Sequence, residues 1–383
     1  MSFKLTLKPD AGLGPQLLHT TNLMLGLAPA AGLYHTPVVT ADARSMIRRA
    51  VDEFGVAAID TAPWYGCGKS EIDLGAAIAG PPAVATRVGI FTKVGRIAVP
   101  RIMAKDVTDL AAIISQQVGS GLSAEAFGRR LAFALQQDTC YAPAEETRQL
   151  VCLHDCTYHG IMTSYAQSMA RLQGAKILGL RMHDADTEEL FQEAAEQGGL
   201  DALRELRTSS KVANIGLGLN DATVALRYIR LAASRGFQFD SVMIAGCWNL
   251  LNQSGLELLS VCEELGIAVH LGGAFGAGFL HGQSKYLYAE AGSDLFAKRE
   301  GWLQLCAQHN VTLQQLALAF AFRPACVSYV AVGCAAEVEL ERNVRLAQDS
   351  SHIPLGTLRA ILTEAAASDV IRFDTGVLKA LFS

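Results

Sequence analysis

Eight short apolar runs, each followed by a stretch of helical periodicity, limit what this 383-residue chain can fold into. They lie at Leu23–Leu27, Val56–Ile59, Val88–Thr92, Lys176–Met182, Val212–Leu217, Ser241–Ala245, Ile267–Leu271 and Ser328–Val332. Consecutive apolar positions suit strands buried on both faces, and a helix between two of them returns the chain parallel to the first. Eight such units over roughly 300 residues predict an α/β fold, a (β/α)8 TIM barrel. Half of the residues (50%) are hydrophobic and no Pro-, Gly- or Ser-rich linker interrupts the pattern, so 1–383 reads as a single domain.

The alternation lapses between Gly95 and Leu153. Helical patches at Asp106–Gln117 and Ala124–Gln136 occur there without a strand pattern, so 95–153 reads as an inserted helical segment after strand 3. Such an insertion is either a lid or partner surface over the catalytic face or a solvated decoration, and the sequence leaves both open. A net charge of −5, a pI near 6.0 and no basic tract argue against a nucleic-acid partner. No apolar run reaches the ~20 residues of a membrane span, and the first residues lack a secretory pattern, which implies a soluble, cytoplasmic protein. Nine cysteines without regular spacing suit a reducing compartment. Cys152, His154, Cys156 and His159 are zinc-ligand types, but they crowd into one short stretch with no CxxC elsewhere. Free thiols and no metal are expected.

The stretch Phe54–Ile78 carries the chemistry. An apolar run stops at Asp60, Tyr65 and Gly66 follow in a small-residue loop, and Ser70 and Glu71 open a helix. An acid at the carboxyl end of a barrel strand stands where such folds keep their active sites. The pattern D-T-A-x-x-Y-G-x-x-x-S-E-x-x-L-G, from Asp60 to Gly75, resembles the signature of the aldo-keto reductase superfamily. The likeness extends, with gaps, from about Thr21 to about Leu346. It is greatest for the branch that includes D-threo-aldose 1-dehydrogenase, L-fucose dehydrogenase, L-galactose dehydrogenase and pyridoxal 4-dehydrogenase.

That resemblance implies NAD(P)-dependent hydride transfer served by Asp60, Tyr65, Lys93 and His183. Asp60, Lys93 and His183 close the second, third and fourth strands, which are neighbours in a barrel. Tyr65 would be the general acid or base. A free phenol, with a pKa of ~10, is a poor base at neutral pH, and Lys93 beside it would favour the phenolate. Asp60 would hold Lys93 charged, and His183 would orient the substrate oxygen.

No G-x-G-x-x-G follows a strand, which argues against a Rossmann domain. By resemblance the dinucleotide lies extended across the barrel mouth, on Gly26, Asp60, Gly218, Asn220, Gly276, Gly333, Glu339 and Asn343. Two positions depart from the family. Its Ser-Asn pair for the carboxamide is Gly218-Leu219 here, with Asn220 one place later, and its Gln is Ala245. NADPH-preferring members hold the 2'-phosphate with a Lys and an Arg where this chain has Gly333 and Glu339. A carboxylate there repels phosphate and accepts from a ribose hydroxyl, which favours NAD, with NADP left open by Arg342 nearby.

The implied reaction is oxidation of an aldose (L-fucose, L-galactose or D-arabinose type) at its anomeric carbon to a lactone. Pyridoxal, as an internal hemiacetal, would react alike. Trp64, Trp248, Phe275 and Tyr34 are candidate pocket walls, with Trp64 and Trp248 joining Tyr65 and His183 as substrate contacts. The rival readings are an NADPH-dependent aldehyde or carbonyl reductase of the same fold and a non-catalytic, cofactor-sensing regulatory subunit. A third is a metal-dependent hydrolase built on His154, Asp155, His183 and Asp184. Oligomeric state is not legible.

Overall fold

In the computed structural model, residues 3–10, 22–33, 38–79, 87–137, 144–287 and 289–382 are described. The first strands in chain order are β1 (Leu23–Gly26), β2 (Ala58–Asp60), β3 (Gly89–Val94), β4 (Arg96–Pro100), β5 (Leu150–His154) and β6 (Ile177–His183). They are followed by β7 (Asn214–Leu219), β8 (Ser241–Ala245), β9 (Ala268–Gly272), β10 (Lys285–Tyr286), β11 (Ala289–Glu290) and β12 (Val327–Gly333). Leaving out the two small antiparallel pairs β4–β5 and β10–β11, the strands pair in parallel. They close a barrel in the order β1-β12-β9-β8-β7-β6-β3-β2. This is the (β/α)8 architecture expected from the alternation.

The surrounding helices bury one apolar stripe each. The helix Thr40–Asp52, for example, buries Ala43, Met46, Ile47, Ala50 and Val51. Thr40 begins this helix without capping it: Val39 stands at the N-cap, and the Thr40 hydroxyl donates to Glu146 at 2.7 Å. Between β6 and β7 the chain forms two helices, Glu188–Glu196 and Gly199–Thr208. Gly198, with a left-handed φ of 81°, separates them.

The insertion departs from expectation, because it contains strands. β3 turns at Gly95 (φ 95°) straight into β4, which runs antiparallel to β5 with Ile97 opposite Leu153 and Val99 opposite Val151. The two expected helices, Val107–Val118 and Ala124–Gln137, lie over this hairpin. Ile97, Val99, Phe127, Leu131, Val151 and Leu153 share an apolar cluster separate from the main core. The insertion therefore has a small core of its own. The two strands are brief and sit at opposite ends of the segment, so their pairing is non-local and leaves little periodic signal.

Inside the barrel, Met24, Ala58, Phe91 and Met243 form a compact apolar plug. Gly179 on β6 makes room for it, since a Cβ there would enter the Phe91 ring. Strand register sets Asp60 beside Phe91, Lys93 beside Arg181, and His183 beside Gly218. At the amino-terminal mouth a cavity of about 630 Å³ is lined by Lys8, Phe91, Asp240, Ser241, His270 and Tyr329, among others. The tail helices Leu355–Ala367 and Thr375–Phe382 flank Phe373, which packs edge-on to Trp302 at 6.1 Å and Phe320 at 5.7 Å. Among the described residues no helix is long and apolar enough to cross a membrane.

Candidate functional site

β2, β3 and β6 deliver Asp60, Lys93 and His183 to the carboxyl end of the barrel, and the loop after β2 brings Tyr65 back to Lys93. That loop is tight. Gly66, Cys67 and Gly68 have φ values of 61°, 53° and 97°, and a Cβ on Gly66 would stand 2.8 Å from the Ala31 carbonyl oxygen. Cys67 is the strained member, a non-glycine in left-handed space. From the insertion, the Thr147 hydroxyl donates to the Gly66 carbonyl at 2.7 Å, and the Cys67 and Cys152 sulfurs lie 3.1 Å apart.

Lys93 is buried, and its Nζ donates to Asp60 Oδ2 at 2.7 Å, to the Thr61 carbonyl at 2.9 Å and to the Tyr65 hydroxyl at 2.9 Å. All three ammonium protons are engaged. Tyr65 thus accepts from a cation, with Asp60 Oδ2 3.4 Å away. Burial pushes the Lys93 pKa down, Asp60 opposes that, and Arg181 adds to it. The His183 ring stands edge-on to Tyr65 at 5.9 Å and to Trp64 at 6.1 Å. Burial, then Lys93, Arg96 and Arg181, hold its pKa well below 6.5, so the imidazole is neutral. Its Nδ1 is buried with no partner, and its Nε2 lies 3.4 Å from an Asp184 carboxylate oxygen. The four expected residues converge.

Sequence reasoning missed two cations. Arg181 is fully buried (0% exposed); it donates to Asp60 Oδ1 at 2.6 Å and touches His270 Nδ1. Its guanidinium lies 4.6 Å from the Phe91 ring centroid. The signal for it was available: Arg181 and His183 are two apart on one strand and so share the inward face. Arg96, the first residue of β4, stacks on Trp64 at 4.2 Å and pairs with Asp184 at 2.8 Å. The insertion therefore supplies part of the mouth.

The residues expected to hold the nucleotide fall into two groups. Gly26 pairs with both Gly333 and Asp60 in the strand register, and Gly218 packs with its Cβ position 3.5 Å from Lys93 Cε. Asn220 donates its amide to Asp184 at 3.0 Å and Asp186 at 3.1 Å, which orders the carboxylates at that corner. In the loop after β9, Gly276 has φ 58°, and Phe275 meets His281 at 4.3 Å. His281 is pushed down to about 4 by burial and then by Arg342, with Glu339 opposing, which puts this loop beside the helix Glu337–Ser350. Glu339 Oε2 accepts from the Ala335 N–H at 2.7 Å, tying down its own helix start. Asn343 donates to the Cys334 sulfur at 3.4 Å, while its buried Oδ1 has no partner. Positive-φ glycines, a helix N-terminus and an orphan acceptor fit an extended dinucleotide.

Trp248 does not line the mouth as expected. It is buried and stacks on Phe320 at 4.9 Å with an interplanar angle of 15°, because the apolar faces of both rings are better satisfied against each other than in water. Tyr34 lies outside the described residues. Among the described residues no group of three His, Cys, Asp or Glu side chains is placed to hold a metal.

A profile described as the Aldo/keto reductase family matches residues 22–351. Among curated proteins, pyridoxal 4-dehydrogenase of Microbacterium luteolum is 30% identical over 344 residues, covering 87% of this chain and 91% of the relative. D-threo-aldose 1-dehydrogenase of a Pseudomonas species is 28% identical over 317 residues, covering 81% and 84%. Among solved structures, the holo form of aldo-keto reductase AKR11C1 from Bacillus halodurans superposes with a TM-score of 0.62 at 18% identity, covering 96% of this chain and 99% of that one. The glycerol dehydrogenase AKR11B4 from Gluconobacter oxydans gives 0.61 at 16% identity, covering 92% and 94%. Identities this low speak for the fold alone.

Proposed function

The chain belongs to the aldo/keto reductase family, and from that premise we propose that it is an NAD-linked dehydrogenase that oxidises a cyclic aldose at its anomeric carbon to a lactone. The observation that carries this reading is the contact of Lys93 Nζ with the Tyr65 hydroxyl at 2.9 Å, with Asp60 behind it. A tyrosine facing a buried cation loses its proton more readily than a free phenol and can serve as a base. When bound, the nicotinamide dinucleotide supplies the hydride acceptor. His183, neutral and with an orphan nitrogen, holds the anomeric oxygen. Tyr65 takes the hydroxyl proton as the carbon becomes a carbonyl, and Lys93 stabilises the phenolate that receives it. Trp64, fixed by Arg96, offers an aromatic wall for the apolar face of a sugar ring.

A second substrate class suits the same chemistry. Pyridoxal as its internal hemiacetal presents the same oxidisable carbon, and the relative that is 30% identical bears that activity in its name. Glu339 beside the loop after β9 supports NAD over NADP, because a carboxylate repels a 2'-phosphate.

The test is reduced-nicotinamide absorbance with L-fucose, L-galactose, D-arabinose and pyridoxal, with NAD and NADP run separately. NAD-linked turnover of one compound, absent in Tyr65→Phe, is the expected result. Reduction of aldehydes with NADPH and no oxidation across the panel would overturn both the direction and the cofactor preference.

A further inference from the structure

We propose that Arg181 is a positioning residue that sets the pH range in which Tyr65 acts as a base. This deepens the reading above and rests on it for the direction of the reaction. Near the Tyr65 hydroxyl, β3 contributes Lys93, β2 contributes Asp60, and β6 contributes Arg181 and His183 with Asp184 just beyond its end; behind these stand His270 of β9, Arg96 of β4 and His154 of β5. Most of these cancel or are neutral. Arg96 pairs with Asp184 at 2.8 Å, and burial keeps His183, His154 and His270 neutral. Glu71, behind Thr92, is matched by Arg171 at 2.7 Å. What remains is two cations, Lys93 and Arg181, on one carboxylate, Asp60.

Lys93 and Asp60 alone would form a neutral pair and exert only a weak pull on the phenol. Arg181 occupies Asp60 Oδ1 and cannot discharge, so it leaves one positive charge uncompensated beside Tyr65. A phenolate cancels that charge. The proton shared by Lys93 and Tyr65 therefore leaves at lower pH than it would without Arg181. His270 fixes the other end of the guanidinium through its Nδ1, and a protonated His270 would break that contact.

A buried arginine that merely fills space would not move this titration. The experiment compares Arg181→Met with Arg181→Lys, using two readouts: the pH dependence of kcat/KM for oxidation, and tyrosinate absorbance of each protein minus its Tyr65→Phe counterpart. Arg181→Met moves both steps up by about one to two pH units, as expected for a charge lost at close range in a protein interior. Arg181→Lys keeps the charge as long as its buried amine stays protonated, so it moves the steps by less than Arg181→Met. Arg181→Gln keeps a donor towards Asp60 without charge and gives the same upward shift should the Met variant not fold. An unshifted Tyr65 titration in a folded, uncharged variant overturns the proposal. Because the absorbance step needs no substrate, a shift there without dehydrogenation in wild type would sink the proposed function and leave this one standing.

A separate observation carries a second inference: the structure assigns Cys67 and Cys152 as a peroxide-oxidisable pair that ties the Tyr65 loop to β5. Their sulfurs stand 3.1 Å apart, Cys67 is half-buried and Cys152 buried, and their mutual contact pushes the Cys67 thiol up and the Cys152 thiol down, with Arg171 near both. The thiolate of the pair attacks a peroxide oxygen, the O–O bond breaks with hydroxide as the leaving group, and a sulfenic acid forms. The other thiol then attacks that sulfur, forming the S–S bond and releasing water; two thiols are oxidised as the peroxide is reduced. Treating the full chain with hydrogen peroxide, then mapping peptides by mass, should show a Cys67–Cys152 link with loss of two hydrogens, reversed by dithiothreitol. Cys67→Ser and Cys152→Ser should each abolish it, and Cys262→Ser should not. No link in wild type, or one that survives Cys67→Ser, overturns the assignment.

Discussion

Lys93, on β3 at the carboxyl mouth, and Lys8, in the segment before β1 at the amino mouth, stand at opposite ends of one barrel with opposite surroundings. Lys93 is fully enclosed and meets a carboxylate, a carbonyl and a phenol. Lys8 is partly buried, donates to the Val327 carbonyl at 2.6 Å and has Arg323 as a charged neighbour. Burial lowers the pKa of each, to about 8 for Lys8. Lys93 has a carboxylate in hydrogen-bond contact to hold its proton, and a phenol whose acidity it can alter. The difference teaches that burial of a charge is not in itself a sign of chemistry. A partner that needs the charge is.

Four changes test that contrast, from the largest effect down. Tyr65→Phe should cut kcat/KM for oxidation by about 10³-fold or more while thermal unfolding stays put, since one hydroxyl and no buried charge is lost. Asp60→Asn leaves Lys93 and Arg181 facing each other without an anion, and should cost about 3–5 kcal/mol in denaturant titration as well as activity. Lys8→Met should leave turnover alone and change only a pH dependence. With a folded-state pKa near 8 against an ordinary 10.5, the unfolded chain binds more protons in between, so wild-type stability rises from pH 8 to 10.5. The variant should lose that rise, and a retained rise would sink the description of Lys8. Ser241→Ala, which removes a buried hydroxyl without a partner at the amino mouth, should shift stability by no more than about 0.5 kcal/mol and leave activity intact.

The barrel was legible because every barrel strand is an apolar run bounded by a helix pattern, and burial on both faces writes that signal plainly. Asp60, Lys93 and His183 were legible because a charged or polar group at the end of such a run has no packing reason to be there. Arg181 escaped because it sits inside a strand, where a lone polar residue reads as an interruption until the period of two is applied across it. The β4–β5 hairpin escaped for a different reason: its alternation is brief, and the pairing of Val99 with Val151 depends on contacts far apart in the chain. Trp248 misled because aromatic residues in barrel loops serve packing and recognition alike, and Phe320, its stacking partner, is distant in sequence.

The placement of the tryptophans has a practical consequence. Trp248 and Trp302 are shut in the core, while Trp64 is half-buried at the mouth under the Arg96 guanidinium. In optical terms the chain carries two constant emitters and one that faces whatever enters. A ligand that displaces Arg96 or covers Trp64 alters the fluorescence of that single indole. Reduced nicotinamide, which absorbs where indole emits, would draw energy from it. Occupancy of the mouth can thus be read in real time on the unlabelled protein, before any turnover occurs.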